Sequence, residues 1–146
     1  MYEELAMYID GKWCQGSDGA GEDVINPATE ETLARLPHAS AADLDRALAA
    51  AARGFGLWRA TSAYDRAAIL YKAGDLIRER ADAIARVLTL EQGKALAEAR
   101  MEVLVSADIF QWYAEEGKRA YGRIIPSRIP GARQMWCASP WVRWWH

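Results

Sequence analysis

The spacing of apolar and polar positions changes once along this chain, near Ser40. Before it, short apolar runs are cut by turn residues. Tyr8 and Ile9 precede Asp10-Gly11, a strong two-residue hairpin signal, and Trp13 follows on the return strand. The stretch GSDGAGED reads as a loop. DVINPAT predicts a short strand stopped at Asn26-Pro27, since proline lacks the ladder N–H. ETLARLP predicts another, with Leu33 and Leu36 as its apolar residues. The expected unit is a small antiparallel hairpin or meander. After Ser40 the period becomes helical. Leu44, Ala47, Leu48, Ala51, Phe55 and Trp58 share one face, behind Ser40 and Asp43 as a capping-box pair. Ser62 opens a long second helix with Ile69, Leu70, Ala73, Leu76, Ile77, Ile84, Val87 and Leu88 on its expected buried face. That helix is long enough to break near Arg80–Asp82, and Gly93 suits its end. A third helix runs to Gly122, and RIIPSRIPGARQ predicts an extended connection because of its prolines. No internal repeat is visible.

Composition narrows the classes. The 146 residues suggest one domain, and 51% hydrophobic content can supply a core, although much of it is alanine. Eighteen Lys+Arg against twenty Asp+Glu give a net charge of -2, which offers no electrostatic basis for a nucleic-acid or anionic-membrane partner. Two cysteines and two histidines argue against a disulfide framework and a side-chain metal cluster. The first residues lack the apolar core of a signal peptide, and no run is long enough to span a bilayer. The expectation is a soluble, cytoplasmic chain.

Individual residues carry little chemistry. Cys14 has no histidine nearby in sequence, Cys137 lies in the unusual Trp-rich tail, and His38 sits in a loop. Glu115-Glu116 diverge on a helix and lie beside Lys118 and Arg119, as a solvated face would. Gly54-Phe55-Gly56 is too short to cradle a phosphate. Trp112-Tyr113 reads as core.

Four phrases in order reach further: YIDGKW, INPATEE, LEQGKALAEA and WYAEEGKRAYGRIIPS. Together they resemble the start of an aldehyde dehydrogenase, most of all the succinate-semialdehyde branch, from about Tyr8 to Met135. The implied fold class is α+β: a small N-terminal hairpin or meander and three long helices, as a fragment of the α/β aldehyde dehydrogenase fold. The Rossmann sheet and catalytic domain are absent from it. The family oxidises an aldehyde to a carboxylate with NAD or NADP. A cysteine thiolate attacks, hydride leaves to the nicotinamide, and a glutamate activates water.

The family phrases holding the nucleophile, the general base and the cofactor lie downstream of this stretch, so the resemblance gives this chain no catalytic and no cofactor-binding residue. It implies a monovalent-cation site at Val24, Ile25 and Glu91, and a substrate-tunnel wall at Val105, Ile109 and Trp112. Met101 stands where the pattern calls for a small residue. The parent enzyme is expected to be a cytoplasmic homo-oligomer acting on a small-molecule aldehyde, with no nucleic-acid or membrane partner. Residues 1–146 alone are expected to be inactive and to bind no cofactor. Without the Rossmann sheet, Leu44, Leu48, Phe55, Ile109 and Trp112 are expected to be partly uncovered.

The end of the chain departs from this pattern. Residues 1–135 read as the family segment and 136–146 as a non-family tail, with four of the seven tryptophans at Trp136, Trp141, Trp144 and Trp145. The semialdehyde branch continues with a phrase such as MVVREPVGPVVA. Removing one G after the ATG in one coding of that phrase yields MWCASPWVRWWH, the sequence found from Met135 onward. A frameshift turns GTG valine codons into TGG tryptophan codons. The alternative is a non-catalytic interaction protein whose Trp/Arg tail docks on a partner.

Overall fold

In a computed structural model, described here over residues 4–138, Asp10 and Gly11 adopt φ of 53° and 79°. These are the two left-handed residues of a type I′ turn, which glycine and aspartate tolerate. The turn pairs β1 (Met7–Ile9) with β2 (Lys12–Cys14) antiparallel, Tyr8 opposite Trp13. A second hairpin pairs β3 (Gly21–Ile25) with β4 (Thr32–Pro37), and its register shifts between Val24 and Ile25. The two hairpins are separate two-stranded sheets, so no meander forms among the described residues.

Ser40 caps α1 (Ala41–Ala60) through the expected capping box with Asp43. Ser62 caps α2 (Ala63–Glu79), its hydroxyl accepting from the Asp65 amide at 3.1 Å. The long second helix does break. Arg80, at φ -100° and ψ 10°, separates α2 from α3 (Ala81–Gln92). The break lets Ala81 and Ala85 turn onto Ala99 and Val103 of α4 (Leu96–Lys118), while Ile77, Leu88 and Leu104 pack around them. There are therefore four helices over this span, where three were expected.

RIIPSRIPGARQ also differs from expectation. It forms a third hairpin, β5 (Arg123–Ile125) with β6 (Gln134–Trp136), Ile124 facing Met135. Pro126 and Pro130 fall between the strands, where no ladder N–H is needed. Trp141, Trp144 and Trp145 lie outside the described residues.

The core consists of small side chains. Its buried apolar residues are Ala67, Ala81, Ala85, Ala99, Val103, Ala107 and Ala114, and the largest fully buried side chain is Asp43. Ile69, Ile84 and Val87, expected inside, are exposed. The buried positions of α2 and α3 are held by alanine and glycine, which let the helices approach α4 closely. Most of the larger residues sit on faces with no partner among the described residues. The accessible surface is accordingly large, at 11627 Å². A compact monomer of 16.3 kDa would expose roughly 7,500 Å². Even if the eleven residues outside 4–138 are counted as fully extended chain, about 2,000 Å² of the excess remains. Among the described residues no helix is long and apolar enough to cross a membrane.

Candidate functional site: the outer face of helix α4 and the Asn-Pro turn

Helix α4 has two unlike faces. Ala99, Val103, Ala107 and Ala114 are buried. The opposite side presents Met101, Val105, Ile109 and Trp112, of which Val105 is 51%, Ile109 49% and Trp112 64% exposed. Their spacing of four, four and three residues keeps them on one stripe. The three residues expected to line a tunnel thus share one uncovered apolar surface. Met101 stands at its N-terminal end. Leu44 and Leu48 of α1 are likewise about half exposed, whereas Phe55 is half-buried.

The Asn26-Pro27 turn is tightly specified. The buried Asn26 side-chain carbonyl accepts the Ala28 amide at 2.9 Å. Its backbone carbonyl accepts Glu30 N–H at 2.8 Å, and its own N–H donates to the Glu31 carbonyl at 2.9 Å. Glu30 is left-handed at φ 61°. The turn rests on the end of α3, where a Cβ on Gly93 would meet Pro27 Cγ at 3.1 Å. Val24 and Ile25 at the end of β3 and Glu91 near the end of α3 are therefore carried by two segments in contact. Val24 is half-buried, and Ile25 and Glu91 are exposed. No group of three or more His, Cys, Asp or Glu side chains converges among the described residues.

Two polar clusters were not legible as sites. Asp43 Oδ2 accepts the backbone N–H of Ser17 and of Ser40, each at 3.0 Å, and both serine hydroxyls at 2.9 Å. Arg46 reaches Oδ1 at 2.5 Å. The Ser17 and Ser40 backbone donors hold this carboxyl far below the usual carboxylate range. The cluster fastens the loop before β3 to the start of α1 and presents no open position for a reactant. The second cluster joins α2 to α4. Tyr71 donates to Glu115, and Lys118 reaches the same oxygen at 2.6 Å. Lys118 lies 5.8 Å from the Tyr71 ring centroid. Lys118 and then Tyr71 lower the Glu115 carboxyl, whereas Glu115 raises both Tyr71 and Lys118. Glu115 is half-buried and engaged between helices while part of its side chain meets solvent; Glu116 pairs with Arg119 at 2.5 Å.

The remaining thiols and imidazole stay apart from these surfaces. Cys14 is half-buried on β2 and Cys137 is exposed beyond β6, neither in a disulfide. His38 lies 3.7 Å from Glu22 at the surface.

Residues 13–142 match the family model described as the aldehyde dehydrogenase family. The chain belongs to the aldehyde dehydrogenase family. Among its relatives, 4-(hydroxymethyl)benzenesulfonate dehydrogenase TsaD1 of Comamonas testosteroni is 46% identical over 91% of this chain and 28% of its own length. The NADP-dependent succinate-semialdehyde dehydrogenase GabD of Escherichia coli K12 is 44% identical over 96% of this chain and 29% of its own. An aldehyde dehydrogenase crystal structure from Brucella melitensis biovar abortus 2308 superposes with a TM-score of 0.87 at 42% identity. It covers 89% of this chain, which spans 27% of that one. This aldehyde dehydrogenase segment therefore spans little more than a quarter of the length of its relatives. Its helices and strand pairs are a portion of their fold.

Proposed function

We propose that the segment serves an NAD(P)-dependent aldehyde dehydrogenase that oxidises an aldehyde or semialdehyde to a carboxylate. The observation that carries this reading is the set of succinate-, glutarate- and aspartate-semialdehyde dehydrogenases among the relatives at 40–44% identity. In the longer enzyme a nicotinamide cofactor, held by residues outside this segment, would supply the hydride acceptor. This chain's part is architectural. The Val105, Ile109 and Trp112 face forms an apolar wall of the substrate tunnel, excluding water from the hydrocarbon part of the aldehyde. Val24 and Ile25 carbonyls with the Glu91 carboxylate would hold a monovalent cation. The close seat of Pro27 on Gly93 supports that reading, because it fixes the two segments that would supply the ligands. The parent enzyme is a cytoplasmic homo-oligomer.

The described residues do not suit a dinucleotide. Gly54 and Gly56 lie inside α1, and the N-termini of α3 and α4 carry Arg80 and Ala95 without a glycine-rich approach. No catalytic step is therefore assigned to them, and residues 1–146 alone are inactive. Residues 136–146 are an out-of-frame reading of the family phrase. Pro140 occupies the same place in both frames, consistent with a family match that runs on to residue 142.

The test compares two proteins. Purified residues 1–146 should bind NAD and NADP no better than a control and give no NADH absorbance with succinic semialdehyde. Reinserting one nucleotide at the Met135 codon should open a longer frame whose product does both. In that product Cys14→Ser should leave turnover nearly unchanged. Saturable cofactor binding by residues 1–146, or a restored frame without family phrases, overturns the reading.

A further inference from the structure

We propose that the Asp18-Gly19 peptide is a modification site, at which aspartate converts spontaneously to isoaspartate and releases Ser17 from Asp43. The chain holds two Asp-Gly pairs, and the fold treats them differently. Asp10-Gly11 is locked. Both residues are left-handed in the turn between β1 and β2, Ile9 pairs with Lys12 across it, and Arg53 holds the Asp10 carboxyl at 2.8 Å. Asp18-Gly19 is fastened on either side and loose at its centre. Before it, Gly16 abuts the His38 carbonyl so closely that no side chain fits there. Ser17 gives its N–H and its hydroxyl to Asp43, at 3.0 and 2.9 Å. After it, the Ala20 carbonyl accepts the His38 N–H at 2.9 Å. Between these anchors the Gly19 N–H reaches only the Gly16 carbonyl, at 3.3 Å, and a Cβ on Gly19 would meet nothing within 4 Å.

The reaction requires the Gly19 nitrogen to reach Cγ of Asp18. Glycine has no side chain to block that approach and leaves the peptide free to rotate. The Asp18 carboxyl accepts the Ala20 amide at 3.0 Å, which folds it back along the Asp18-Gly19 peptide. The nitrogen bonds to Cγ, its proton leaves with the carboxyl hydroxyl as water, and a cyclic imide forms. Water then adds to one imide carbonyl. Cleavage of the new Cγ–N bond restores aspartate, whereas cleavage of the original peptide bond leaves isoaspartate. One water is lost and one regained, so the mass is unchanged and no other reactant is needed. The isoaspartate backbone runs through Cβ and Cγ and is one atom longer. Because Gly16 and Ala20 are both held against His38, the span cannot lengthen, and the extra atom bulges beside Ser17. Ser17 is thereby drawn off Asp43, and the loop before β3 loses its fastening to α1.

Ageing the purified chain at neutral pH, followed by tryptic mapping, tests both steps without any measure of turnover. Lys12 and Arg35 place the two pairs in separate peptides, residues 1–12 and 13–35, and electron-transfer fragmentation distinguishes the two linkages. Isoaspartate should accumulate at position 18 about tenfold or more faster than at position 10, because opening the locked turn costs more than opening the loose one. In urea the two pairs should convert at similar rates. Asp18→Glu should abolish the product in peptide 13–35, since the longer side chain does not close the same ring. In the converted chain the Ser17 amide should exchange with solvent faster than in the parent. Equal rates at the two pairs in the folded chain overturn the proposal. So does a faster position 10, the absence of conversion at position 18, or a preference for position 18 that persists in urea. Unchanged Ser17 exchange in the converted chain overturns the release from Asp43.

Discussion

Pro27 sits on Gly93, so close that a single added carbon would stand 3.1 Å from the proline ring. Gly93 ends α3 at φ 72°, a conformation that side chains resist. Gly93→Ala should therefore destabilise the segment by about 1–2 kcal/mol through backbone strain alone. Contact with Pro27 adds to that strain. Urea unfolding followed by circular dichroism measures it. An unchanged midpoint would show that the turn and the helix end are not coupled as described.

Two helical glycines should respond in opposite ways. A Cβ on Gly74 would meet the Ala107 carbonyl oxygen at 3.1 Å, in the contact between α2 and α4. Gly74→Leu should destabilise by about 1–3 kcal/mol through overpacking. Gly54 in α1 has nothing within 4 Å of such a carbon, and Gly54→Ala should stabilise by about 0.5–1 kcal/mol. Equal signs in the two unfolding curves would contradict the assigned packing.

Asp43 should shape the acid limb of stability. Its folded-state carboxyl is held below its unfolded value, so its contribution is present above about pH 4 and is lost as pH falls toward the folded value. Asp43→Asn should destabilise at pH 7, and the gap from the parent chain should narrow as pH falls below about 4. A gap that stays constant down to the acid transition would mean the Ser17 and Ser40 contacts do not favour the charged form.

Tyr71 should ionise late. Its hydrogen bond to Glu115 raises the phenol, so the neutral form is favoured in the fold. The stability it contributes is present below its unfolded value, about 10, and is lost as pH rises through the folded one. In an absorbance titration Tyr71→Phe should remove a transition above about pH 10, and Glu115→Gln should bring that transition down. Superimposable titrations of parent and Glu115→Gln would disprove the link.

Local chemistry was readable where its causes are local. Asp10-Gly11, the Ser40–Asp43 box, the Ser62 cap and the stop at Gly93 each depend on a few consecutive residues. Burial was less readable. Ile69, Ile84 and Val87 fit a helical face, but periodicity cannot say which partner covers it. Here the partner is not among the described residues. The alanines at 81, 85, 99 and 107 carry the contacts instead, because close helix approach selects small residues. The β5–β6 pair was missed because Pro126 and Pro130 forbid a ladder only at their own positions. The proposed site residues came from ordered phrases that resemble the family, since no spacing of nucleophile, acid or base marks them.

The alanine core also sets how the molecule opens. Amide hydrogens near Ala99–Ala107 lie where α4 is covered by both α2 and α3, and their exchange with solvent requires separating three helices. Helix α1 touches β1, and the Arg53–Asp10 ion pair at 2.8 Å adds a contact to the hairpin turn. Its amides can exchange by detachment of that one helix. Deuterium uptake should therefore rise in steps, α1 long before α4, because the protein's resistance to opening is concentrated in a thin layer of methyl groups.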